Sequence, residues 1–346
     1  MIFESIGAWI DMYGCPNRCK HCWLGVTPNG NLSADDLKFV ADQFRPFTKI
    51  LEVFDYCREP DYSDNYKELW EITSELSDTK TPHFENISYW RAVRDKEYIP
   101  WLYSKNVKTV QLTIFGDEKT TDYFVGRKGA FKEILQTIEL LLQNSISLRI
   151  QTFINKNNIS QLPYIQSLIE DLNLEKRCGD IGREFVFFLH QGSCDGENEQ
   201  FYDVWITPED VDKIPPKLVD FTLKHCEKLS IMEVLGETEK DLYNELIKDS
   251  SIMGSIVTDS PWFFVDKDFN VYPNYETPAP FWCLGNLKTA GAKEILGTYI
   301  NNNSKAQHVT TTIPVSEMVK KHGNPESMRL FIKSDYKNFI LNKYCR

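Results

Sequence analysis

The sequence predicts an α/β fold: a partial (β/α)6 TIM-like barrel with a small α/β C-terminal appendage. Three observations predict it. Six apolar runs alternate with helical patterns as far as His190, three cysteines follow the first run, and the alternation stops after His190. Right-handed crossovers place the helices outside a parallel sheet, which then curls into an open barrel. We therefore expect residues 1–200 to form the barrel and residues 201–346 to form a region that closes it.

Each predicted strand is a short apolar run, and each predicted helix has apolar residues at helical spacing. Ser33 is the expected N-cap of the first helix, because acidic residues follow it directly. The predicted strands are IGAWIDMY, KILEVFD, HFENISYW, TVQLTIFG, SLRIQTFIN and REFVFFLH. The predicted helices are SADDLKFVADQF, NYKELWEITSEL, KEYIPWLYSKN, KGAFKEILQTIELLLQN and ISQLPYIQSLIEDLN.

A different pattern follows His190. A helix is expected at TPEDVDKI with Thr207 as its cap, and another at TEKDLYNELIKD. The segment PWFFVDKDFNVYPN predicts a β-hairpin, since two apolar strands flank an Asp-Lys-Asp turn. The C-terminal segment SMRLFIKSDYKNFILNKYCR predicts a helix.

Composition excludes several classes of protein. The net charge of −11 argues against nucleic-acid binding, which needs a basic surface, and suits a neutral or cationic small molecule. No run reaches the roughly 20 apolar residues of a membrane helix, and the acidic opening segment is not typical of a signal peptide. Nine cysteines, an odd number, indicate reduced thiols in a cytoplasmic protein.

The segment YGCPNRCKHCWLG, residues 13–25, carries the clearest chemical signal. It places Cys15, Cys19 and Cys22 on a loop after the first strand, at the end of a sheet where α/β proteins bind ligands. Structural zinc sites need four ligands, and a Cys19–Cys22 redox pair leaves Cys15 without a role. Three thiolates suit a [4Fe–4S] cluster that keeps one iron open for another ligand.

This loop, in a chain of repeated βα units, resembles the radical S-adenosylmethionine (radical SAM) enzymes over roughly residues 7–190. Glu59-Pro60 matches the end of that family's Gly-Gly-Glu-Pro motif, although Cys57 and Arg58 replace the glycines. The resemblance implies a [4Fe–4S] cluster and S-adenosyl-L-methionine as cofactors. In the family, one electron from the cluster cleaves the S–C5′ bond and releases a 5′-deoxyadenosyl radical, which abstracts hydrogen from a substrate.

The resemblance also implies roles for individual residues. Cys15, Cys19 and Cys22 would be the metal ligands. Glu59 would accept a hydrogen bond from the methionine ammonium group. His190, at the end of a strand, would contact the substrate. The other residues expected to bind the cofactor are His21 and Trp23 near the adenine, Thr113, Gln151 and Asn155 near the ribose and carboxylate, and Arg127 at the carboxylate.

The segment FFVDKDFNVYPNYETPAPFWCLGNL resembles the SPASM or twitch appendage of many radical SAM enzymes. It keeps VDKDFNVYP and LGNL but has Pro273-Asn274 where that family has Pro-Cys. Cys283 directly precedes LGNL. The expectation is therefore a twitch-like region without its own cluster. A second cluster gathered from the remaining, widely spaced cysteines is the alternative, and these are Cys178, Cys194, Cys226 and Cys345.

A single cluster suits two kinds of reaction. In epimerisation a thiol returns hydrogen to the substrate radical, with Cys283 as donor and Cys57 or Cys226 as rivals. Radical dehydration needs acid–base residues instead. The acidic residues Asp61, Asp64, Asp195 and Glu197 suit a sugar or aminoglycoside-like natural-product intermediate. The alternative is a peptide (RiPP) maturase or oxidase that uses an auxiliary cluster.

Two other classes stay open. A non-catalytic scaffold would use the cysteines only to bind metal, and a thiol redox protein would form a reversible Cys19–Cys22 disulfide. Glu59-Pro60 favours the enzyme, because a scaffold needs no partner for a methionine ammonium group. The expected partners are a small-molecule substrate and a flavodoxin or ferredoxin electron donor, with no nucleic acid and no membrane.

Overall fold

The structure of the chain, a computed structural model, describes residues 2–22, 24–25, 29–54, 62–79, 87–273 and 278–346. Trp23, Cys57 and Glu59, which the sequence predicts as site residues, lie outside these ranges. Among the described residues, no helix combines the length and the apolar composition needed to cross a membrane.

Strands and helices alternate through the first part of the chain, as the sequence predicts. Their bounds are β1 (Phe3–Ile10), α1 (Ala34–Phe44), β2 (Thr48–Phe54), α2 (Tyr66–Leu76), α3 (Tyr89–Ala92), α4 (Tyr98–Ser104), β3 (Thr109–Thr113), α5 (Glu118–Val125), α6 (Ala130–Gln143), β4 (Ser147–Phe153), α7 (Leu162–Asp171), α8 (Leu174–Asp180) and β5 (Val186–His190). The expected cap of α1 is confirmed: Ser33 and Asp36 form a reciprocal capping box.

One predicted strand is wrong in its described part. Of HFENISYW, residues 83–86 lie outside the described ranges, and Tyr89 and Trp90 form the start of α3. The Ser88 side chain accepts a hydrogen bond from the backbone N–H of Arg91 at 3.2 Å and so caps this helix. A local side-chain cap therefore outweighs the strand preference of the two aromatic residues.

The second part of the chain is mainly helical around a small sheet. Its elements are α9 (Pro208–Val211), α10 (Pro216–Cys226), α11 (Ile231–Leu235), β6 (Glu237–Thr238), α12 (Glu239–Leu246), β7 (Trp262–Val265), β8 (Asn270–Pro273), β9 (Gly285–Asn286), α13 (Gly291–Ile300), α14 (Lys305–Thr312), α15 (Val315–His322), β10 (Leu330–Phe331) and α16 (Lys333–Cys345). The predicted Thr207 cap and hairpin are confirmed. The predicted C-terminal helix is confirmed only from Lys333, because Leu330 and Phe331 pair with β6 as a short strand. A boundary at residues 200/201 stays a prediction.

The hairpin of the second part shares a sheet with the first strand of the chain. The strand order is β2–β1–β7–β8–β9, with β2 and β7 both parallel to β1. Gly7 lies opposite Glu52 on one side and Trp262 on the other. The C-terminal hairpin therefore extends the sheet of the barrel directly.

The strands β3, β4 and β5 form a second, wholly parallel sheet. Alternate residues of β4 point to opposite faces, so Leu148 and Ile150 pack into the apolar core with the surrounding helices. Arg149, Gln151 and Phe153 occupy the other face, which is less buried. The carboxyl ends of the three strands meet at one edge of this sheet.

The contact between Gly7 and Trp262 ties the hairpin to β1. A Cβ atom on Gly7 would lie 2.3 Å from two carbons of the Trp262 indole. We expect Gly7→Ala to lower the free energy of unfolding by about 1–3 kcal/mol through overpacking, measured by urea denaturation. The matched control is Gly297→Ala in α13, where a Cβ meets no atom within 4 Å and where alanine favours the helix. Equal losses in both variants would contradict the importance of this contact.

Candidate active site

The cysteine loop follows β1 and is attached by its backbone to two other segments. The N–H groups of Arg18 and Lys20 donate to the carbonyls of Val125 (3.0 Å) and Phe124 (2.8 Å) at the end of α5. On the other side, the N–H of Glu197 donates to the Cys22 carbonyl at 2.8 Å. The loop is therefore held at the carboxyl end of β1 between α5 and the 3₁₀-helix Gly196–Val204.

The attachment to α5 depends on a glycine. Gly126 ends α5 in the left-handed conformation, with φ of 71°. A Cβ atom there would lie 2.3 Å from the carbonyl oxygen of Arg18. Glycine is thus required twice over, since other residues disfavour this φ and any side chain would displace the loop.

Arg127 anchors the loop from the next position. Its Nε donates to Oδ1 of Asn17 at 2.8 Å, and its guanidinium also pairs with Glu133 at 2.5 Å. The backbone N–H of Asn17 points at Sγ of Cys15, 3.4 Å away. The sequence predicts that Arg127 binds the cofactor carboxylate. The structure places it where it holds the buried Asn17 and, through it, the first cysteine.

The three loop cysteines are reduced and partly buried. A turn brings the second and third together, because the N–H of Cys22 donates to the Cys19 carbonyl at 3.2 Å. In the described part of the chain, no group of three histidine, cysteine or acidic side chains lies close enough together to bind a single metal ion. Cysteines of an iron–sulfur cluster bind separate irons, so they need not converge on one point. Three reduced cysteines on one anchored loop, with an amide N–H at Cys15 Sγ, fit such a cluster.

Aromatic rings form a stack beside this loop, where β3, β4 and β5 end. The His21 ring lies 4.3 Å from the Phe153 ring and 4.7 Å from the Phe115 ring, between centroids. On the far side of Phe153, the His190 ring lies 4.2 Å away. The histidine predicted near the adenine and the one predicted to contact substrate therefore belong to one stack.

Both imidazoles in the stack are neutral at physiological pH. Burial, and then the proximity of His190, lowers the pKa of His21 to about 3. Burial lowers the pKa of His190 to about 4. Nδ1 of His21 and Nε2 of His190 are buried, and neither has a hydrogen-bond partner among the described residues. The stack is therefore a buried wall that carries no charge at neutral pH.

The polar residues predicted to bind the cofactor fall into two groups. Thr113 and Gln151 are neighbours across β3 and β4, and Nε2 of Gln151 donates to Oγ1 of Thr113 at 2.7 Å. The buried Asn155 instead shapes the following loop, since its Oδ1 accepts from the Asn157 N–H at 2.9 Å. Thr113 and Gln151 face the same side of the sheet as Phe153. The Asn155 side chain instead accepts a hydrogen bond within its own loop.

Sequence reasoning missed several residues of the site. Asn17 belongs to no recognisable sequence motif. Its role in holding the cysteine loop is evident only from its hydrogen bond with Arg127. Phe153 could have been found, because alternation along β4 places it on the face of Gln151. The buried Asn158 donates to the carbonyls of Phe115 (3.3 Å) and Phe153 (2.8 Å), and so fixes the ends of β3 and β4. No sequence signal indicated that contact.

The cysteines beyond the loop are dispersed over different elements. Cys283 lies partly buried beside β9, with its Sγ 3.8 Å from the Gly285 carbonyl oxygen. Burial raises the pKa of the Cys283 thiol and of the Cys226 thiol. The remaining described cysteines of this kind are buried, and they are Cys178, Cys194 and Cys345. Within the described ranges they form no metal site.

The acidic residues predicted to suit a cationic substrate are not gathered in one place. Asp64 pairs with Arg91 at 3.0 Å, and Asp195 accepts a hydrogen bond from Ser193 at 2.7 Å. Glu197 is partly buried beside the cysteine loop, and Asp61 lies outside the described residues. Only Asp195 and Glu197 therefore lie on the segment that contacts the loop.

The chain is similar to known proteins in sequence. A family model described as the Radical SAM superfamily matches residues 9–164. The Fe-coproporphyrin III synthase of Methanosarcina barkeri (strain Fusaro / DSM 804) is 25% identical over 178 residues, 51% of this chain and 43% of that protein. The AdoMet-dependent heme synthase of the same organism is 24% identical over 214 residues, 60% of this chain and 55% of that protein. The chain spans about half the length of the curated relatives it matches.

Solved structures share the fold over nearly the whole chain. The structure of native anSMEcpe with bound AdoMet superposes with a TM-score of 0.55 at 16% identity, covering 98% of this chain and 99% of that one. Native anSMEcpe with bound AdoMet and Cp18Cys peptide gives a TM-score of 0.55 at 17% identity, covering 99% and 98%. The radical SAM family model thus matches the first part of the chain, and the whole chain has the mixed α/β fold of these solved structures. A match to this superfamily implies a [4Fe–4S] cluster and S-adenosylmethionine as cofactors.

The close approach of Gly126 to the cysteine loop can be tested. We expect Gly126→Ala to retain less than about half of the wild-type iron after anaerobic reconstitution, because its Cβ displaces Arg18 and the loop. The control is Gly129→Ala, which has the same left-handed strain (φ of 83°) but whose Cβ meets no atom within 4 Å. We expect it to keep the full iron content. If both variants lose the same amount of iron, backbone strain alone explains the loss. The close contact between Gly126 and Arg18 would then not be its cause.

Proposed function

We propose that this chain is a radical SAM enzyme in which Cys15, Cys19 and Cys22 bind three irons of the cluster. The observation that carries the proposal is the anchored loop of reduced cysteines at the carboxyl end of β1. With a [4Fe–4S] cluster bound, one electron becomes available to cleave S-adenosylmethionine into methionine and a 5′-deoxyadenosyl radical. The fourth iron is left for the methionine half of the cofactor, so the loop needs no fourth cysteine.

The residues of the chain bind, orient and exclude water. Gly126 and Arg127 hold the loop, while the stack of His21, Phe153 and His190 forms an apolar wall next to it. Its neutral imidazoles carry no charge that would attract water or take up a proton at neutral pH.

We propose a peptide as the substrate class. The main support is the likeness to anSMEcpe with bound AdoMet and Cp18Cys peptide, which extends over 99% of the chain. These findings favour the peptide alternative over the sugar or aminoglycoside interpretation of the sequence. The acidic residues that suggested a cationic sugar do not support it either, since Asp64 is paired with Arg91.

We propose that the reaction uses a single cluster and a thiol. Cys283 suits the role of hydrogen donor, because burial raises its pKa and so keeps the S–H bond intact at neutral pH. Abstraction of hydrogen by the 5′-deoxyadenosyl radical would leave a substrate carbon radical, which takes hydrogen from the thiol. This transfer would leave a thiyl radical on the cysteine. One electron and one proton from the external reductant would then convert the thiyl radical back to the thiol. Cys226 is a rival with a similarly raised pKa, and Cys57 lies outside the described residues.

A second candidate substrate is an iron porphyrin. The two relatives from Methanosarcina barkeri, an Fe-coproporphyrin III synthase and a heme synthase, match 51% and 60% of this chain. The matches cover only 43% and 55% of those proteins, so they carry less weight than the full-length likeness in fold. Porphyrin and peptide chemistry can be separated directly by experiment.

The cluster assignment predicts the behaviour of cysteine variants. We expect about four irons and four sulfides in the reconstituted wild type and none in the Cys15/Cys19/Cys22→Ala triple variant. Cys19→Ala should release no 5′-deoxyadenosine from S-adenosylmethionine with dithionite as reductant. Cys283→Ala is the matched control, and we expect it to keep about four irons and full cofactor cleavage. Cleavage by Cys19→Ala would contradict the assignment. About eight irons falling to four would establish a second cluster.

The substrate class can be tested by its effect on cofactor cleavage, which radical enzymes couple to substrate binding. We expect a cysteine- or serine-containing peptide to raise 5′-deoxyadenosine release several-fold, and deuterium at its α carbon to appear in the 5′-deoxyadenosine. Fe-coproporphyrin III and an aminoglycoside serve as parallel substrates and should have no effect. Stimulation and hydrogen transfer with the porphyrin or the aminoglycoside, and not with peptides, would overturn the peptide proposal.

A further inference from the structure

Basic side chains cluster on the solvent-exposed side of the cysteine loop. On α5, Lys119 and Tyr123 lie one turn apart on one face, and Tyr123 is 53% exposed. The ammonium group of Lys20 lies 4.9 Å from the centre of the Tyr123 ring. We name this surface the cationic patch, and it consists of Arg18, Lys20, Lys119, Tyr123 and Lys128.

The members of the patch are contiguous. Backbone hydrogen bonds join Arg18 to Val125 and Lys20 to Phe124, so the loop runs along the end of α5. Lys128 is exposed two residues beyond Gly126, the position at which the loop and the helix make their closest contact. The patch therefore covers the loop and the end of α5 together.

The positive charge of the patch is offset in part by Asp117, the N-cap of α5, whose pKa is lowered by hydrogen bonds from Thr120 and by the charge of Lys119. Within the described ranges, none of its four cations forms an ion pair. Two nearby acidic residues form ion pairs with cations outside the patch. Glu118 pairs with Lys132 at 2.9 Å. Glu133 pairs with Arg94 at 2.7 Å and also with Arg127. Asp122 accepts the backbone N–H groups that begin α6. A positive surface therefore stands on a chain whose net charge is −11.

The patch lies directly over the cysteines. The guanidinium of Arg18 donates to the Cys15 carbonyl at 2.8 Å, and Lys20 is the residue after Cys19. A protein that covers these side chains also covers the loop, so its redox group can come close to the cluster. The negative net charge of the chain repels acidic partner proteins at long range. A local cationic surface therefore directs such a partner to the patch.

We propose that the cationic patch docks an acidic one-electron donor protein of the flavodoxin or ferredoxin kind. The inference rests on the proposed function and names the surface that its electron donor uses. The reduced donor loses one electron, which passes through the loop and is consumed when the S–C5′ bond of S-adenosylmethionine breaks. No proton moves in this transfer. Tyr123 supplies the exposed aromatic contact that protein interfaces commonly contain.

Charge reversal within the patch tests the proposal. The variant Lys119→Glu/Lys128→Glu changes two exposed lysines that do not hold the cysteine loop. With reduced flavodoxin as donor, we expect its KM for flavodoxin in 5′-deoxyadenosine formation to rise about tenfold. With dithionite, which needs no docking, the rate should equal that of the wild type. In the wild type, the flavodoxin-driven rate should fall as ionic strength rises, since salt screens the patch.

Two control variants make the test specific. Lys228→Glu/Lys248→Glu causes the same change in net charge at exposed lysines on other elements, and it should leave the KM for flavodoxin unchanged. Lys119→Arg/Lys128→Arg keeps the charge and should also keep the low KM. An equal rise in KM in the Lys228/Lys248 variant would show that the KM depends on the net charge of the chain and not on the patch. That result would overturn the proposal.

The outcomes separate this inference from the proposed function. A wild type that forms no 5′-deoxyadenosine with dithionite overturns the proposed function and this inference with it. Normal dithionite-driven cleavage, with an unchanged KM for flavodoxin in the patch variant, overturns the docking surface alone. If the patch variant loses affinity for an acidic peptide substrate but not for flavodoxin, the surface binds the substrate and the proposal is wrong.

Discussion

The structure depends on the close approach of the cysteine loop to the end of α5. A carbonyl oxygen of the loop, that of Arg18, occupies the space where any side chain at position 126 would lie. Because Gly126 also takes a left-handed conformation, α5 can end there, and the carbonyls of Phe124 and Val125 accept hydrogen bonds from the loop. The next residue, Arg127, then reaches Asn17 and so the first cysteine. One helix end therefore determines where this glycine- and proline-containing loop is held.

The second property of the site is the burial of its aromatic rings. Two imidazoles and two phenyl rings lie together where three parallel strands end, and burial keeps both imidazoles neutral. A charged histidine in this position would need a counter-ion, and none of the described carboxylates contacts the stack. The polar Thr113 and Gln151 satisfy each other on the same face of the sheet.

The C-terminal hairpin is an extension of the barrel sheet as well as a cover for it. β7 lies beside β1 in parallel, and the Trp262 indole crosses Gly7 toward Phe54, whose ring centre is 5.0 Å away. This pairing covers an edge of β1 that would otherwise be open.

The sequence by itself determined the local features, namely the cysteine loop, the βα alternation, the Ser33 and Thr207 caps and the C-terminal hairpin. Each depends on residues that lie near one another in the chain, where periodicity and capping act. The strand predicted at HFENISYW was wrong at Tyr89 and Trp90, because the cap at Ser88 decided the local conformation. Only the tertiary structure decided that Arg127 holds Asn17, that His21 and His190 share one stack, and that β7 pairs with β1. Those contacts join residues far apart in sequence, so they depend on how sheets and helices pack, which no local pattern records.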